Sequence, residues 1–255
     1  MRLISLILLF LLSGTVSAQK VEWYTTTQTS PWVKQKVKPE RVTTGAEIVL
    51  DPTLRLQLIM GIGGCFNEMG WDALNALSAE DREAVLQAIF SKDGACFNYC
   101  RLPMGANDFA LSFYSSADVA GDFNLVNFNI DRDRYILIPY IKAARQINPD
   151  LRIWASPWCP PAWMKTNNHY ASAVRPSGEK DVNGLLPREA ITEFSTGFRM
   201  EEGYLKTYAD YFARFIKAYE AEGLPLECIH VQNEPCSNQV FPSCKWRTED
   251  LTFFL

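Results

Sequence analysis

The chain has 255 residues, a formal net charge of −4 at pH 7 and no run of basic residues. This charge balance makes nucleic acid and anionic membrane surfaces poor partners. Seven cysteines without paired CxxC spacing, together with only two histidines, argue against a structural zinc site, and the sequence predicts no cofactor.

The first 18 residues have the pattern of a secretory signal peptide. Arg2 supplies a positive charge, residues 3–12 form an apolar run, and Val16-Ser17-Ala18 resembles a small-residue cleavage site. The apolar run is too short to span a bilayer. We therefore expect a secreted or periplasmic protein without an integral membrane segment after cleavage. In such an oxidising compartment Cys236 and Cys244, which flank a loop, could form a disulfide or stay as thiols.

Residues 19–54, rich in Thr, Val and Lys, predict an extended β-type segment. From residue 55 onward, apolar runs typical of strands alternate with amphipathic stretches typical of helices. The predicted strands are 57–66, 95–104, 151–158 and 228–233, and the predicted helices are 78–90, 131–147, 204–220 and one beginning near Thr248.

This alternation indicates a parallel α/β architecture. A closed eight-fold barrel needs about 250 residues, whereas residues 55–255 hold about four strand–helix units. The sequence thus predicts the first half of a (β/α)8 TIM barrel, truncated after about four units, with a small open sheet as the alternative. Long loops after the second and third strands, 105–130 and 159–203, favour the barrel, because barrels carry their binding residues on such loops.

Polar and aromatic side chains follow the ends of the predicted strands. A site with an amide, two carboxylates and two tryptophans suits a sugar, since aromatic faces stack on C–H-rich rings while Asn and Asp bind hydroxyls. Trp163 could instead anchor a packed loop, Arg101 could be a buried ion-pair partner that shapes the site, and Glu68 is interpreted as structural. The candidate residues are Arg101, Asp108, Trp158, Trp163, Asn233 and Glu234.

Six ordered segments resemble glycoside hydrolase family 30, which includes the glucosylceramidases. They are Gly63-Gly64, Arg101-Leu102-Pro103-Met104, Asn107-Asp108-Phe109, Ala155-Ser156-Pro157-Trp158, Trp163-Met164-Lys165-Thr166-Asn167 and Gln232-Asn233-Glu234-Pro235. The resemblance implies a retaining β-glycosidase acting on β-glucosyl linkages, with Glu234 as general acid/base and Asn233 at the sugar 2-hydroxyl. It also implies that Asp108 and Trp158 hold the sugar, with Arg101 nearby.

The resemblance also implies a nucleophile that this chain does not match. In the family, the nucleophile is a second glutamate on strand seven, and no carboxylate here corresponds to it. We expect the chain to be a fragment of a longer enzyme, because it stops inside the apolar helix start Thr252-Phe253-Phe254-Leu255. The alternatives are an endo-β-1,6-glucanase of the same family and a non-catalytic glycan-binding protein.

Overall fold

A computed structural model describes residues 21–38, 45, 48, 51, 53–175 and 183–255. The predicted signal peptide and parts of the predicted segment 19–54 lie outside these residues. The chain divides into two compact units, Met1–Gln57 and Leu58–Leu255. Among the described helices, none is long and apolar enough to cross a membrane.

The first unit contains an antiparallel hairpin of two short strands, β1 (Trp23–Thr25) and β2 (Val33–Gln35). The ring of Trp32, at the turn between them, stacks on Tyr24 with the centroids 5.3 Å apart. Cross-strand aromatic contacts of this kind stabilise a hairpin that has only three residues in each strand.

The second unit is built on a parallel pair, β3 (Tyr99–Pro103) and β4 (Arg152–Ser156). An extended segment lies on each side: Cys65 forms a parallel bridge with Arg101, and Ile229 forms one with Ala155. The four predicted strands therefore lie side by side in chain order, as parallel strands connected by helices do. The first and fourth are single bridges rather than regular strands.

The helices follow the sequence closely, with two differences. A short helix, α1 (Glu68–Asn75), was not predicted; the side chain of Asn67 caps it by accepting from the amide of Gly70 at 2.7 Å. The predicted helix 131–147 is divided at Ile136 into α3 (Asp131–Tyr135) and α4 (Leu137–Ile147). Pro139 explains the break, because it has no N–H to donate to Tyr135 one turn earlier and its ring crowds that carbonyl.

The other helices form where the sequence predicts them. Helix α2 (Ala79–Phe90) begins with the predicted cap, since the hydroxyl of Ser78 accepts from the amide of Asp81 at 3.0 Å. The last two helices are α5 (Glu202–Ala221) and α6 (Thr248–Phe254). Apolar faces of α4 and α5 form one core with the sheet, and the ends of the parallel strands open on the same edge.

Candidate active site

Arg101, in β3, makes the central contacts at the edge where the parallel strands end. Its guanidinium donates to the hydroxyl of Ser156 at the end of β4, at 2.7 and 2.5 Å, and to the side-chain oxygen of Asn233 at 2.8 Å. Its charged carbon lies 3.9 Å from the ring centre of Trp158. Arg101 is therefore held by neutral partners and an aromatic face, and the contacts of the described residues include no ion pair to it within 4 Å.

Asn233 and Glu234 follow the extended segment that pairs with β4. The amide of Asn233 donates to the carbonyl of Pro157 at 2.8 Å, which fixes this segment beside the end of β4. Glu234 has a φ of 45°, in the left-handed region that most residues other than glycine and asparagine disfavour. Its carboxylate is exposed and accepts a hydrogen bond from Gln239 at 3.1 Å.

The side chain of Gln232 fixes the turn at Asn233 and Glu234, a role that the sequence did not reveal. Its side-chain nitrogen donates to the carbonyls of Trp158 and Asn233, at 2.7 and 2.8 Å, and its oxygen accepts from the indole N–H of Trp246 at 3.2 Å. Gln232 is buried, so its polar atoms must find protein partners. A glutamine directly before Asn-Glu was the available signal, but its partners are too distant in sequence to infer.

Asp108 lies on the loop after β3, exposed to solvent on one side. Partial burial raises the pKa of its carboxyl, and the negative charge of Glu234 raises it further, while Arg101 acts in the opposite direction. Burial lowers the pKa of the Arg101 guanidinium, against the influence of Cys65, Asp108 and Glu234. The two carboxyls and the guanidinium thus influence one another electrostatically, and their roles as site residues stay a prediction.

The two candidate tryptophans differ in their surroundings. Trp158 is only 6% exposed, with one face covered by Arg101. Trp163 is also buried, its indole N–H donates to the carbonyl of Ala117 at 2.8 Å, and its ring packs against Phe123 and Tyr204. These contacts are those of a loop anchor, the alternative interpretation of Trp163, and its assignment to substrate binding stays a prediction.

A cavity of about 440 Å³ lies beside Asp108, which is one of its lining residues. Its walls come from α1, the loop after β3, and residues 175, 183 and 240–242, and they combine apolar with polar and charged side chains. The apolar ones include Met69, Leu111, Phe113 and Phe241, and the polar and charged ones are Asn107, Asp108, Ser112, Arg175 and Asn183. A concave space of this size that combines apolar walls with polar groups is typical of a small-molecule site.

Cys236 and Cys244 are both free thiols, the first exposed and the second buried. The loop between them is instead fixed by main-chain contacts, such as that from the amide of Trp246 to the carbonyl of Pro235 at 2.7 Å.

Known proteins resemble this arrangement. Residues 59–184 match the family model described as the glycosyl hydrolase family 30 TIM-barrel domain. The chain belongs to glycoside hydrolase family 30. The family match confirms the resemblance that the sequence motifs carried, and it fits the predicted α/β fold.

Among the relatives of this family 30 chain is "Putative glucosylceramidase 4" of Caenorhabditis elegans, 30% identical over 92% of this chain and 42% of the relative. The crystal structure of SrfJ from Salmonella typhimurium is 28% identical, with a TM-score of 0.69 over 87% of this chain and 45% of that one. The endo-beta1,6-glucanase BT3312 is 27% identical, with a TM-score of 0.67 over 91% and 47%. The chain thus spans less than half the length of these proteins.

Proposed function

We propose that this family 30 protein is a retaining β-glycosidase that hydrolyses β-glucosyl linkages, in the manner of a glucosylceramidase. The observation that carries the proposal is the exposed carboxylate of Glu234, presented beside Asn233, Arg101 and Asp108 at the edge where the parallel segments end. Parallel barrels keep their catalytic groups at this edge. The proposal includes an eight-stranded closure, as in the matched domain.

In the proposed reaction, Glu234 is the general acid/base. It protonates the glycosidic oxygen as the leaving group departs, and later removes a proton from the attacking water. Asn233 is suited to donate from its amide nitrogen to a sugar oxygen, because its oxygen is engaged by Arg101. Asp108 accepts hydrogen bonds from sugar hydroxyls, and Trp158, held under Arg101, bounds the sugar.

A retaining mechanism needs a second carboxyl about 5–5.5 Å from the acid. The family resemblance assigns that nucleophile to a glutamate on strand seven, for which no residue of this chain is a match. We therefore propose Glu234 as one member of a pair and assign the nucleophile to no residue numbered here. The sequence pattern of residues 1–18 supports export, so the proposal places the reaction outside the cytoplasm.

The cavity next to Asp108 bears on the substrate. Met69, Leu111, Phe113 and Phe241 offer contacts for an apolar group of a glucoside, and Asn107, Ser112 and Asn183 offer hydrogen bonds to hydroxyls. The apolar side chains support the glucosylceramidase-like activity. The similarity to an endo-beta1,6-glucanase keeps a β-1,6-glucan as the second candidate substrate.

The test is the variant Glu234→Gln in the natural gene product, with Glu220→Gln, an exposed carboxylate on α5, as the matched control. A glucosylceramide and a β-1,6-glucan both release a poor leaving group, so their turnover should fall by about 10²–10⁴-fold. An aryl glucoside with an activated leaving group should lose far less, because it needs no proton. The control should resemble the wild type on every substrate.

Equal losses on activated and unactivated substrates would contradict the acid/base role of Glu234. The relative wild-type rates on the glycolipid and the glucan decide between the two substrates. A wild-type protein that binds glucosides and cleaves none would favour the glycan-binding alternative.

A further inference from the structure

Hydrogen bonds attach the loop that carries Asp108 to two helices of the second unit. This segment, residues 105–114, is called the Asp108 loop below. Its carbonyl at Phe109 accepts from the amide of Met69 at 3.1 Å, its amide at Leu111 donates to the carboxylate of Glu68 at 2.7 Å, and its Ser112 hydroxyl accepts from Arg132 at 2.8 Å. These contacts join the loop to α1 and α3.

Glu68 and Arg132 form the centre of this attachment. The guanidinium donates to both carboxylate oxygens of Glu68, at 2.7 Å each, in a two-pronged geometry. Glu68 is completely buried, and the hydrogen bond to it raises the pKa of Arg132. A buried carboxylate is costly unless its oxygens are fully paired. Here two guanidinium donors and the Leu111 amide provide the pairing, so the carboxylate depends on the loop staying in place.

The far end of the loop is fixed through the same helix. The ring of Tyr114 lies under Arg132, 4.0 Å from its charged carbon, and the Tyr114 hydroxyl donates to Asp133 at 3.0 Å. The hydroxyl of Tyr219 on α5 donates to the other oxygen of Asp133 at 2.7 Å. The loop is thus held at Phe109, Leu111, Ser112 and Tyr114, while Asp108 is left exposed.

We propose that Glu68 is a positioning residue of the glycoside site: through Arg132 and the Leu111 amide it fixes the loop that presents Asp108 to the sugar. The inference rests on the proposed function, because it takes Asp108 as a sugar ligand. Hydrogen bonds to hydroxyls require their acceptor to be held within about 0.5 Å of its productive position. An exposed loop residue reaches that precision only if its backbone is anchored, and Glu68 contacts no sugar itself.

Glutamine cannot replace Glu68 in this role. Its nitrogen would face a donor, either the guanidinium or the Leu111 amide, where a carboxylate oxygen now accepts. The variant Glu68→Gln therefore removes one anchor while keeping the side-chain volume. Glu68→Asp keeps the charge and should retain part of the anchoring of the loop. Arg134→Gln is the matched control, since Arg134 lies on the same helix and pairs with Asp131 and Glu222 away from the loop.

The experiment combines hydrogen exchange with ligand affinity in the natural gene product. In Glu68→Gln, amides of residues 109–114 should exchange about tenfold faster, and the iminosugar 1-deoxynojirimycin should bind about tenfold more weakly. The KM of an aryl β-glucoside should rise more than its kcat falls. In each of these measurements Glu68→Asp should lie between the wild type and Glu68→Gln. Should the single variant not fold, the double variant Glu68→Gln/Arg132→Met removes both charges and takes its place in both measurements.

The outcomes distinguish a failure of the positioning role of Glu68 from a failure of the proposed glycosidase function. Faster exchange in the loop with unchanged iminosugar affinity would overturn the positioning role while leaving the proposed function intact. Unchanged exchange would overturn the inference directly, as would a loss of affinity equally large in Arg134→Gln. A wild-type protein that neither binds the iminosugar nor cleaves a β-glucoside would remove the proposed function and this inference with it, whatever the exchange shows.

Discussion

The guanidinium of Arg101 donates a 2.8 Å hydrogen bond to the side-chain oxygen of Asn233, 132 positions later in the chain. The same guanidinium binds Ser156 at the end of β4. One side chain therefore joins the ends of three neighbouring parallel segments. Because this contact fixes the amide of Asn233, the orientation of the adjacent Glu234 depends on residues from across the sheet.

The two tryptophans provide the first prediction. Trp163→Phe removes the indole N–H that binds the buried carbonyl of Ala117, so it should lower the free energy of unfolding by about 1–3 kcal/mol. Iminosugar affinity among folded molecules should not change. Trp158→Phe keeps a ring beneath Arg101 but alters the wall of the sugar site, so affinity should fall more than stability. Denaturant unfolding and titration of the iminosugar check both variants, and the reverse pattern would identify Trp163 rather than Trp158 as the sugar ligand.

The parts of the fold that the sequence predicted have local signals. Ser78 followed by Glu80 and Asp81 announces the start of α2, and the observed cap is made by that serine. The break before α4 was missed, although Pro139 is visible in the sequence, because the apolar spacing on both sides suits one continuous helix. Local patterns thus gave the elements more accurately than their boundaries.

The candidate site was predicted less completely, because its contacts join distant positions. The family motifs marked Arg101, Asp108, Asn233 and Glu234, but nothing in the sequence indicated that Arg101 would bind Ser156, 55 positions away. Likewise, the sequence did not reveal the partner of Trp163, because the carbonyl of Ala117 is a backbone atom 46 positions earlier. A backbone acceptor leaves no mark on residue identity.

The second prediction concerns pH. Burial raises the pKa of Asp133 to about 6 despite the hydroxyls of Tyr219 and Tyr114 and the charge of Arg132, and the charge of Glu68 adds to the rise. A carboxyl with a raised pKa keeps its proton in the folded state when the unfolded state has lost it. Its contribution to stability is therefore full below about pH 4 and is lost as the pH rises through about 6.

The measurement is the free energy of unfolding of the wild type and of Asp133→Asn, which does not titrate, at pH 4 to 7. The stability of the wild type relative to this variant should fall by about 2 kcal/mol across that range. A difference that stays constant, or that grows with pH, would contradict the raised pKa. Using the variant as reference cancels the contributions of the other carboxylates.

The third prediction uses two adjacent glycines in the segment beside β3. A Cβ on Gly63 would lie 2.2 Å from the carbonyl oxygen of Tyr99, a backbone atom that cannot move aside. A Cβ on Gly64 would lie 3.3 Å from the ring of Phe97, which can shift. Gly63→Ala should therefore destabilise the protein by about 3 kcal/mol or more, and Gly64→Ala by about 1 kcal/mol or less. Denaturant unfolding of both variants compares them, and equal losses would show that the close approach at Gly63 is not maintained.

The fourth prediction addresses the backbone at Glu234, whose φ of 45° is left-handed. A side chain in this region costs about 1 kcal/mol, and asparagine tolerates it better than most. Glu234→Asn and Glu234→Ala both remove the carboxylate, so both should fail to cleave unactivated β-glucosides. The asparagine variant should nevertheless be about 1 kcal/mol more stable than the alanine variant, as measured by denaturant unfolding. If it is also more stable than the wild type, the site stores strain in order to present its carboxylate, as functional sites commonly do. An alanine variant as stable as the asparagine variant would show that the left-handed turn carries no such cost.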